Sequence, residues 1–243
     1  MNLPTCGNPG PPLIRLKNIC FQYPGRGMVL DHVSLEIMKG DRIGLIGPNG
    51  SGKTTLFHII MGLLKPTSGS IEMFGKTLQS DKDFREIYSK VGLLFQDADD
   101  QLFSPTVLED VAFGPLNLGK SKEEVREIAR KTLADLGLSG FEERITHKLS
   151  GGEKRLVALA TVLAMEPEVL LLDEPSTGLD EKTKNTLIEV LNRLDLSYIL
   201  ISHESEFMAK ITDMMFMMEK GKIRTDIDLH RYVHAHPHSS HRH

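Results

Sequence analysis

Residues 47–54 read Gly47-Pro48-Asn49-Gly50-Ser51-Gly52-Lys53-Thr54, which is the spacing of a P-loop, G-x-x-x-x-G-K-[ST]. An apolar run, 43–46, precedes them and an apolar-rich segment follows, so the loop joins a predicted strand to a predicted helix. Glycines let backbone N–H groups surround a phosphate, and the helix N-terminus favours the same anion. Lys53 can reach the outer phosphates, and the Thr54 hydroxyl can bind Mg²⁺. The stretch therefore predicts a nucleotide site.

The composition is that of an ordinary globular protein. The chain has 243 residues, of which 40% are hydrophobic and 26% charged, enough for one large α/β domain or a core with a subdomain. The net charge of −4 disfavours a nucleic-acid binder. The two cysteines, Cys6 and Cys20, show no pairing pattern. No signal peptide is expected, and no segment approaches the ~18 apolar residues of a membrane span, so any spans must come from another chain.

The first part of the chain predicts mainly strands. Residues 1–12 form a Pro- and Gly-rich leader, and 13–22 and 29–37 alternate as the strands of a hairpin. Tyr23 lies at its turn, where a tyrosine alone indicates only surface packing. The helix after the P-loop is expected to run to Lys65-Pro66, with apolar residues on one face. Short strands are expected over 70–74 and 90–96.

The middle of the chain changes to a helical pattern. Residues 106–109 (Thr-Val-Leu-Glu) and 121–124 (Ser-Lys-Glu-Glu) have capping-box spacing, and the second opens an amphipathic helix that ends at Gly137. We interpret this region as a helical subdomain inserted in an α/β core.

Strand signals return near the end. Residues 169–172, 198–201 and 214–218 are unbroken apolar runs, as in a parallel sheet covered on both faces. A helix over about 181–194 separates the first two runs, with Asp180 placed to cap it. The Met-rich third run is interpreted as core rather than as a metal site.

Two further motifs fit phosphate chemistry. Asp173 and Glu174 end a buried strand, where Asp173 fits the Mg²⁺-binding aspartate of a P-loop NTPase and Glu174 fits a general base for water. The alternative is a solvated loop that begins with two acids. The turn Leu149-Ser150-Gly151-Gly152-Glu153 opens another helix and predicts a second anion site. A second anion site in the same chain has a use if it closes over nucleotide that is bound to another copy of the chain.

Together these residues resemble the ATP-binding cassette (ABC) ATPases, from about residue 13 to residue 224. The family's motifs occur in order: the P-loop 47–54, the Q-loop Gln96, the signature 149–153, the Walker B Asp173 with the catalytic Glu174, the D-loop Gly178-Leu179-Asp180 and the switch His203. Tyr23 falls where the family stacks an aromatic ring on adenine.

The resemblance implies an α/β fold, a P-loop NTPase with a RecA-like parallel-sheet core, an N-terminal antiparallel β subdomain and an inserted helical subdomain. The ATPase domain would span 13–225, with the insertion at about 97–148 and a tail at 226–243. The ligands would be ATP and Mg²⁺, and the catalytic residues Glu174, His203 and Gln96. Mg²⁺ would be held by Thr54, Gln96 and Asp173. Nucleotide would also contact Tyr23, Gly47, Pro48, Asn49, Gly50, Ser51, Gly52, Lys53, Thr54, Thr55, Ser150, Gly151, Gly152, Glu153 and Asp180.

The family further implies a head-to-tail dimer with two ATP molecules at its interface, either a homodimer or a pair of different cassettes. The helical subdomain would dock on transmembrane subunits at the cytoplasmic face of the cell membrane, and no nucleic acid would be bound. A soluble cassette acting on DNA or ribosomes is disfavoured, because such relatives usually carry coiled-coil insertions or two cassettes in one chain. A storage or chaperone protein with an incidental P-loop is disfavoured by the complete motif set.

A narrower resemblance concerns the cargo. Residues 95–107 and 110–115 are similar to ATPases of energy-coupling-factor importers, which take up vitamins or transition metals, and 149–155 and 163–167 look like the cobalt-type members. The chain departs from many relatives in lacking a longer C-terminal region, which puts dimer contacts there in doubt. Glu153 replaces the Gln of many other cassettes, although it suits this subgroup.

The C-terminal tail is rich in histidine: His230, His234, His236, His238, His241 and His243. Imidazole binds Ni²⁺, Co²⁺ and Zn²⁺, so the tract, with His234, His236 and His238 at its centre, is a candidate metal site. The alternatives are a disordered polar tail and a purification tag, and the irregular spacing, with Arg242 and Ser239-Ser240 among the histidines, argues against a tag. The leading hypothesis is an ATPase subunit that powers cobalt or nickel uptake, and the alternative cargo is a vitamin or another small solute.

Overall fold

The computed structural model describes residues 10–225. Their strands and helices are, in chain order, β1 (Ile14–Gln22), β2 (Met28–Ile37), β3 (Arg42–Ile46), α1 (Lys53–Ile60), β4 (Ser68–Met73), β5 (Lys76–Leu78), α2 (Asp81–Ile87), β6 (Val91–Leu94), α3 (Val107–Asn117), α4 (Lys122–Asp135), α5 (Gly151–Leu163), β7 (Val169–Asp173), α6 (Glu181–Arg193), β8 (Ser197–Ile201), α7 (Ser205–Ile211), β9 (Met214–Glu219) and β10 (Lys222–Arg224). Short 3₁₀ helices cover Ala98–Asp100 and Thr146–Lys148.

The described residues divide into two compact units, one containing residues 10–85 and 197–225 and the other residues 86–196. In the described part of the first unit, β2, β1, β4 and β5 form an antiparallel sheet in that order. The predicted hairpin is confirmed, since β1 pairs antiparallel with β2, from Ile14 opposite Ile37 to Gln22 opposite Met28. Its apolar face is buried, as the alternating pattern predicts.

The first unit also holds parallel strands. β3 pairs in parallel with β8 on one side and with β9 on the other, and β10 joins β9 antiparallel. Residues 198–201 of β8 are almost fully buried, as an apolar run without alternation requires. Met215 and Met218 of β9 are also buried, which agrees with the interpretation of the Met-rich run as core.

The helix after the P-loop is shorter than predicted. Leu56, Phe57 and Ile60 are fully buried, but α1 ends at Ile60 and Leu63 is 54% exposed. The cause is Gly62, which has φ +70° and ends the helix in a Schellman motif. In this motif the Gly62 N–H donates to the Ile59 carbonyl at 3.0 Å and the Leu63 N–H donates to the His58 carbonyl at 2.8 Å. The predicted end at Lys65-Pro66 was therefore wrong.

The second unit contains a parallel strand pair and most of the helices. β6 pairs with β7, from Val91 opposite Val169 to Leu94 opposite Leu172. Both predicted capping boxes form, at Thr106 with Glu109 and at Ser121 with Glu124. Helices α3 and α4 fall within 97–148, where a helical subdomain is predicted, and α3 packs against both α4 and α5. The boundaries of that subdomain stay a prediction.

A buried carboxylate organises the start of α3. Asp110 is 2% exposed, and its Oδ1 accepts hydrogen bonds from the backbone N–H groups of Phe103 (3.1 Å) and Ser104 (2.9 Å). Its Oδ2 accepts the Thr146 hydroxyl at 3.2 Å. One side chain thus satisfies three donors that link α3 to the segments on either side of the helical region.

We predict that Asp110→Ala lowers the free energy of unfolding by about 2–4 kcal/mol, because it leaves buried donors without an acceptor. Chemical denaturation of the two proteins measures the difference. Glu127→Ala removes an exposed carboxylate from α4 and should change the same free energy by less than about 0.5 kcal/mol. Equal stabilities of the Asp110→Ala variant and the parent would contradict this account of the buried site.

Candidate nucleotide site

The P-loop follows β3, and its glycines are required by the surrounding backbone. Gly47 has φ +149°, and a side chain there would collide with the carbonyl oxygen of Met218 in β9. Gly52 has φ +109°, and an added Cβ would lie 2.8 Å from Leu30 Cδ2 in β2. Both positions combine close approach with a backbone conformation that other residues rarely adopt. The loop is thus held in shape by one strand of each sheet.

The Lys53 side chain binds the backbone at the start of the P-loop. It is buried, and its Nζ donates to the carbonyl oxygens of Gly47 at 2.9 Å and Pro48 at 3.2 Å. The ammonium group is therefore fixed across the loop. Ser51 Oγ is buried and has no hydrogen-bond partner among the described residues, as expected for a group that bonds a ligand. Pro48, Asn49 and Gly50 are exposed, as is Thr54 at the start of α1.

Tyr23 lies beside this loop. Its hydroxyl is 3.3 Å from Thr55 Oγ1 in α1, and its half-buried ring packs edge-on against Phe21, with the centroids 4.9 Å apart. The turn that carries Tyr23 is thereby connected to the helix that begins in the P-loop. This placement fits an aromatic side chain beside a bound nucleotide.

His203 lies at the same edge of the parallel strands as the P-loop. Leu45 in β3 is opposite Ile201 in β8, and both strands run in the same direction. Gly47 follows β3 by one residue, and the exposed His203 follows β8 by two. The carboxyl ends of parallel strands are where such sheets place their ligands. The first unit thus brings the P-loop, Tyr23 and His203 together.

The second unit brings the predicted acidic residues and Gln96 together in the same way. Leu94 of β6 is opposite Leu172 of β7, so Gln96 and Asp173 emerge at one edge. Asp173 and Glu174 are buried, at 3% and 6% exposure, whereas Gln96 is exposed. The expected alternative, a solvated loop that begins with two acids, does not describe these side chains.

Glu174 adopts an unusual backbone conformation, with φ +50°. Its carbonyl oxygen accepts the Thr177 N–H at 3.2 Å, and its Oε2 accepts the Thr177 hydroxyl at 3.2 Å. Non-glycine residues with positive φ are uncommon, and they cluster at functional sites. The turn at the end of β7 therefore positions this carboxylate through the main chain as well as through the side chain.

Two residues of this unit were not predicted. Arg155 in α5 is 8% exposed and donates from Nη1 to the Phe95 carbonyl at 2.9 Å. Burial lowers the pKa of its guanidinium, and three nearby carboxylates oppose that lowering: Asp97, Asp173 and Glu174. The sequence signal was a lone arginine preceding the apolar run of a helix.

The second is Gln101, whose Nε2 donates to the Ala158 carbonyl at 3.0 Å and to Thr161 Oγ1 at 2.9 Å. Its Oε1 accepts the Phe95 N–H at 3.3 Å. Gln101 and Arg155 both connect the start of the Q-loop to α5, and no local sequence pattern predicts these contacts.

The Ser-Gly-Gly turn forms the N-terminus of α5. Ser150 caps the helix in a third capping box, in which the Glu153 carboxylate accepts the Ser150 N–H at 2.8 Å. The backbone N–H and the hydroxyl of Ser150 lower the pKa of Glu153, and Arg144 lies 3.0 Å from the same carboxylate. Glu153 is therefore engaged in holding the turn.

The packing of this chain does not require glycine at Gly151 or Gly152. A Cβ on Gly151 would meet nothing within 4 Å, and one on Gly152 would only touch Leu179 Cδ2 at 3.5 Å. The turn opens into a cavity of about 810 Å³, which Gly178 and Asp180 of the D-loop also line. Because glycine has no side chain, these two positions leave space for a group that is not part of the packing of this chain.

Asp180 caps α6 as predicted, because its Oδ1 accepts the Thr183 N–H at 2.8 Å. That backbone donor lowers the pKa of the carboxyl group. His234, His236 and His238 lie outside the described residues. Within residues 10–225, no helix is both long enough and apolar enough to cross a membrane.

Comparisons with known proteins agree with this geometry. The sequence profile of the ABC transporter family matches residues 30–177. A protein of Nitratidesulfovibrio vulgaris that is named as an ABC transporter ATP-binding protein is 50% identical to this chain. The match covers 96% of this chain and 85% of that protein. The energy-coupling factor transporter ATP-binding protein EcfA of Methanothermobacter thermautotrophicus is 42% identical over 87% of this chain and 69% of its own length.

Solved structures agree as well. The protein cbiO1 from Clostridium perfringens, part of the ABC transporter complex cbiONQ, superposes with a TM-score of 0.81 at 32% identity, over 92% of this chain and 91% of that one. The cassette MJ0796, in a dimeric post-hydrolysis state bound to ADP and Pi, gives a TM-score of 0.80 at 28% identity. This match covers 89% of this chain and 98% of that chain. The α/β P-loop NTPase fold is thereby confirmed. With its motifs in place on that fold, the chain belongs to the ABC transporter family and is an ATP-binding subunit whose ATPase activity is coupled to transport.

Proposed function

We propose that this chain is the ATPase subunit of an energy-coupling-factor-type importer that takes up a transition-metal ion, cobalt or nickel. The observation that carries the proposal is a complete nucleotide motif set in a chain similar over most of its length to an energy-coupling factor ATP-binding protein. The cargo rests on the energy-coupling-factor resemblance of residues 95–107 and 110–115, on the cobalt-type resemblance of residues 149–155 and 163–167, and on the histidine-rich tail.

The proposed nucleotide site begins at the P-loop. Backbone N–H groups of Gly47 and of residues 49–52 bind the β- and γ-phosphates of ATP, with Lys53 as the cation and Ser51 Oγ as an additional donor. The support is the glycine-dependent shape of the loop and the buried, unpaired Ser51 hydroxyl. Tyr23 stacks on adenine, and Thr55 holds the tyrosine hydroxyl.

Mg²⁺ bound with ATP neutralises charge on the phosphates. The residues proposed to hold it, Thr54, Gln96 and Asp173, each offer a side-chain oxygen, which is the ligand atom that Mg²⁺ prefers. Glu174 accepts a proton from the attacking water, and His203 positions the γ-phosphate and that water. The burial of Asp173 and Glu174 supports these roles, because a carboxylate away from solvent is placed for chemistry rather than for solubility.

The second half of the site comes from a second cassette. Ser150, Gly151 and Gly152 contact ATP that is bound to the P-loop of the partner subunit, and Asp180 and Glu153 shape that contact. The two glycines support this arrangement because the packing of this chain does not require them, so they leave room for an approaching phosphate. The open cavity beside them fits the same approach.

The helical region carries the docking surface for transmembrane subunits at the cytoplasmic face of the membrane. Phe103 and Phe113 are 67% and 49% exposed, and their rings pack edge to face with centroids 4.8 Å apart. Leu116 and Leu118 extend this surface from the end of α3. An exposed aromatic and aliphatic patch of this kind favours protein contact over solvent.

Cargo is tested by uptake. A strain that lacks this chain should lose high-affinity cobalt or nickel uptake, and the parent gene should restore it because ATP hydrolysis drives transport. Restoration by a Glu174→Gln gene would argue against the mechanism. Unchanged metal uptake together with lost vitamin uptake would instead support the alternative cargo.

We predict that Glu174→Gln keeps ATP binding but lowers the hydrolysis rate by about 100-fold or more, since the amide cannot accept the proton from water. The protein should then accumulate as a dimer with ATP, which size-exclusion chromatography detects. Glu168→Gln, at an exposed carboxylate before β7, serves as the control and should hydrolyse ATP at the parent rate. Parent-rate hydrolysis by Glu174→Gln would overturn the assignment.

Lys53→Ala should weaken ATP binding itself by about tenfold or more, because a charge-assisted contact to the phosphates is lost. The rise in melting temperature that ATP causes in the parent should shrink accordingly. The exposed Lys39 offers a matched control, and Lys39→Ala should keep the full rise. An undiminished rise in Lys53→Ala would contradict the proposed role.

A further inference from the structure

Three side chains with metal-ligating atoms meet on the antiparallel sheet, away from the motifs described above. One ligand atom each of Cys20, Asp31 and His32 can be chosen so that all three lie within 4.8 Å of one another. Cys20 is buried in β1, whereas Asp31 is partly exposed and His32 exposed in β2. Among the described residues this is the one group of three such side chains that converge in this way.

A β-bulge creates the cluster. Ile19 pairs with Val33 and Phe21 pairs with Leu30, so Cys20 alone lies opposite both Asp31 and His32. His32 has φ +54°, a conformation that few residues adopt. In a regular strand neighbouring side chains point to opposite faces. The bulge therefore directs two consecutive side chains toward one cysteine.

Hydrogen bonds and an ion pair connect the three residues to one another and to Lys222 in β10. The His32 N–H donates to Cys20 Sγ at 3.3 Å. Asp31 Oδ1 lies 2.7 Å from His32 Nδ1, and Lys222 Nζ lies 3.1 Å from Asp31 Oδ2. These contacts lower the pKa of the Asp31 carboxyl group. One carboxylate oxygen therefore faces the cluster while the other is held by the lysine.

We propose that Cys20, Asp31 and His32 form a binding site for a divalent transition-metal ion of the Zn²⁺ or Co²⁺ type. A set of one sulfur, one nitrogen and one oxygen suits these borderline ions, whereas Mg²⁺ and Ca²⁺ prefer oxygen alone. Three protein ligands leave the fourth position of a tetrahedral ion for water. The thiol releases its proton on binding, and the imidazole presents the Nδ1 lone pair with its own proton on Nε2.

The site adjoins the P-loop through β2. Leu30 and Val29 directly precede Asp31, and a Cβ on Gly52 would lie 2.8 Å from Leu30 Cδ2 and 2.9 Å from the Val29 carbonyl oxygen. Asp31 also donates its N–H to the Gly221 carbonyl at 2.8 Å. A bound ion would therefore stabilise the segment of β2 that contacts the P-loop. The site would exist whatever solute the importer carries.

Titration of the full chain with Co²⁺, in the presence of a non-thiol reductant, tests the site. A sulfur-to-cobalt charge-transfer band in the near ultraviolet should appear and saturate, and Zn²⁺ should displace the cobalt and remove the band. The histidines near the C-terminus lack sulfur, so cobalt bound by them gives no such band. Absence of the band from the parent protein at saturating Co²⁺ would overturn the proposal.

Variants locate the site. Cys20→Ser should abolish the band, and Cys6→Ser, the matched control at the other cysteine, should keep it. His32→Asn should weaken Co²⁺ binding by about tenfold or more, because it removes a ligand. Asparagine tolerates the positive φ at this exposed position, so this variant remains informative even if Cys20→Ser fails to fold. His147→Asn, at an exposed histidine elsewhere, should bind Co²⁺ as the parent does. A band that persists in Cys20→Ser, or parent affinity in His32→Asn, would refute the site.

Discussion

At Gly47 and Gly52 the main chain passes so close to its neighbours that no side chain fits. The carbonyl of Met218 limits the first position, and Leu30 limits the second. Since these neighbours belong to different sheets, the shape of the P-loop depends on the arrangement of the whole first unit. The loop is consequently formed before any ligand arrives, which reduces the entropy that nucleotide binding must overcome.

The glycines of the signature turn contrast with those of the P-loop. Gly151 and Gly152 have open space around them, so the fold of a single chain does not explain their identity. Glycine can thus serve two purposes in one protein. In the P-loop it meets an internal steric requirement, and in the signature turn it leaves space for a contact from outside. The difference separates glycines that the chain's own fold requires from glycines that it does not require.

The range of each interaction determined whether the sequence could predict it. The capping residues Thr106, Ser121 and Asp180 act within three or four positions, and their patterns predicted the helix starts correctly. The end of α1 is also set locally, but Gly62 ends the helix before the proline at residue 66 that predicted its end. The contacts of Gln101 and Arg155 with distant segments depend on tertiary packing, which no spacing in the sequence records. The meeting of Cys20 with Asp31 and His32 depends on one bulge in strand register.

The left-handed backbone at Glu174 has a consequence for the conformational entropy of its side chain. The Thr177 N–H and hydroxyl hold both the carbonyl and the carboxylate of Glu174, and the residue is buried. A flexible glutamate on a loop would lose side-chain rotamer freedom, a cost of up to about 2 kcal/mol, each time a substrate became ordered beside it. Here that freedom is already lost when the chain folds, and the stability of the protein carries the cost.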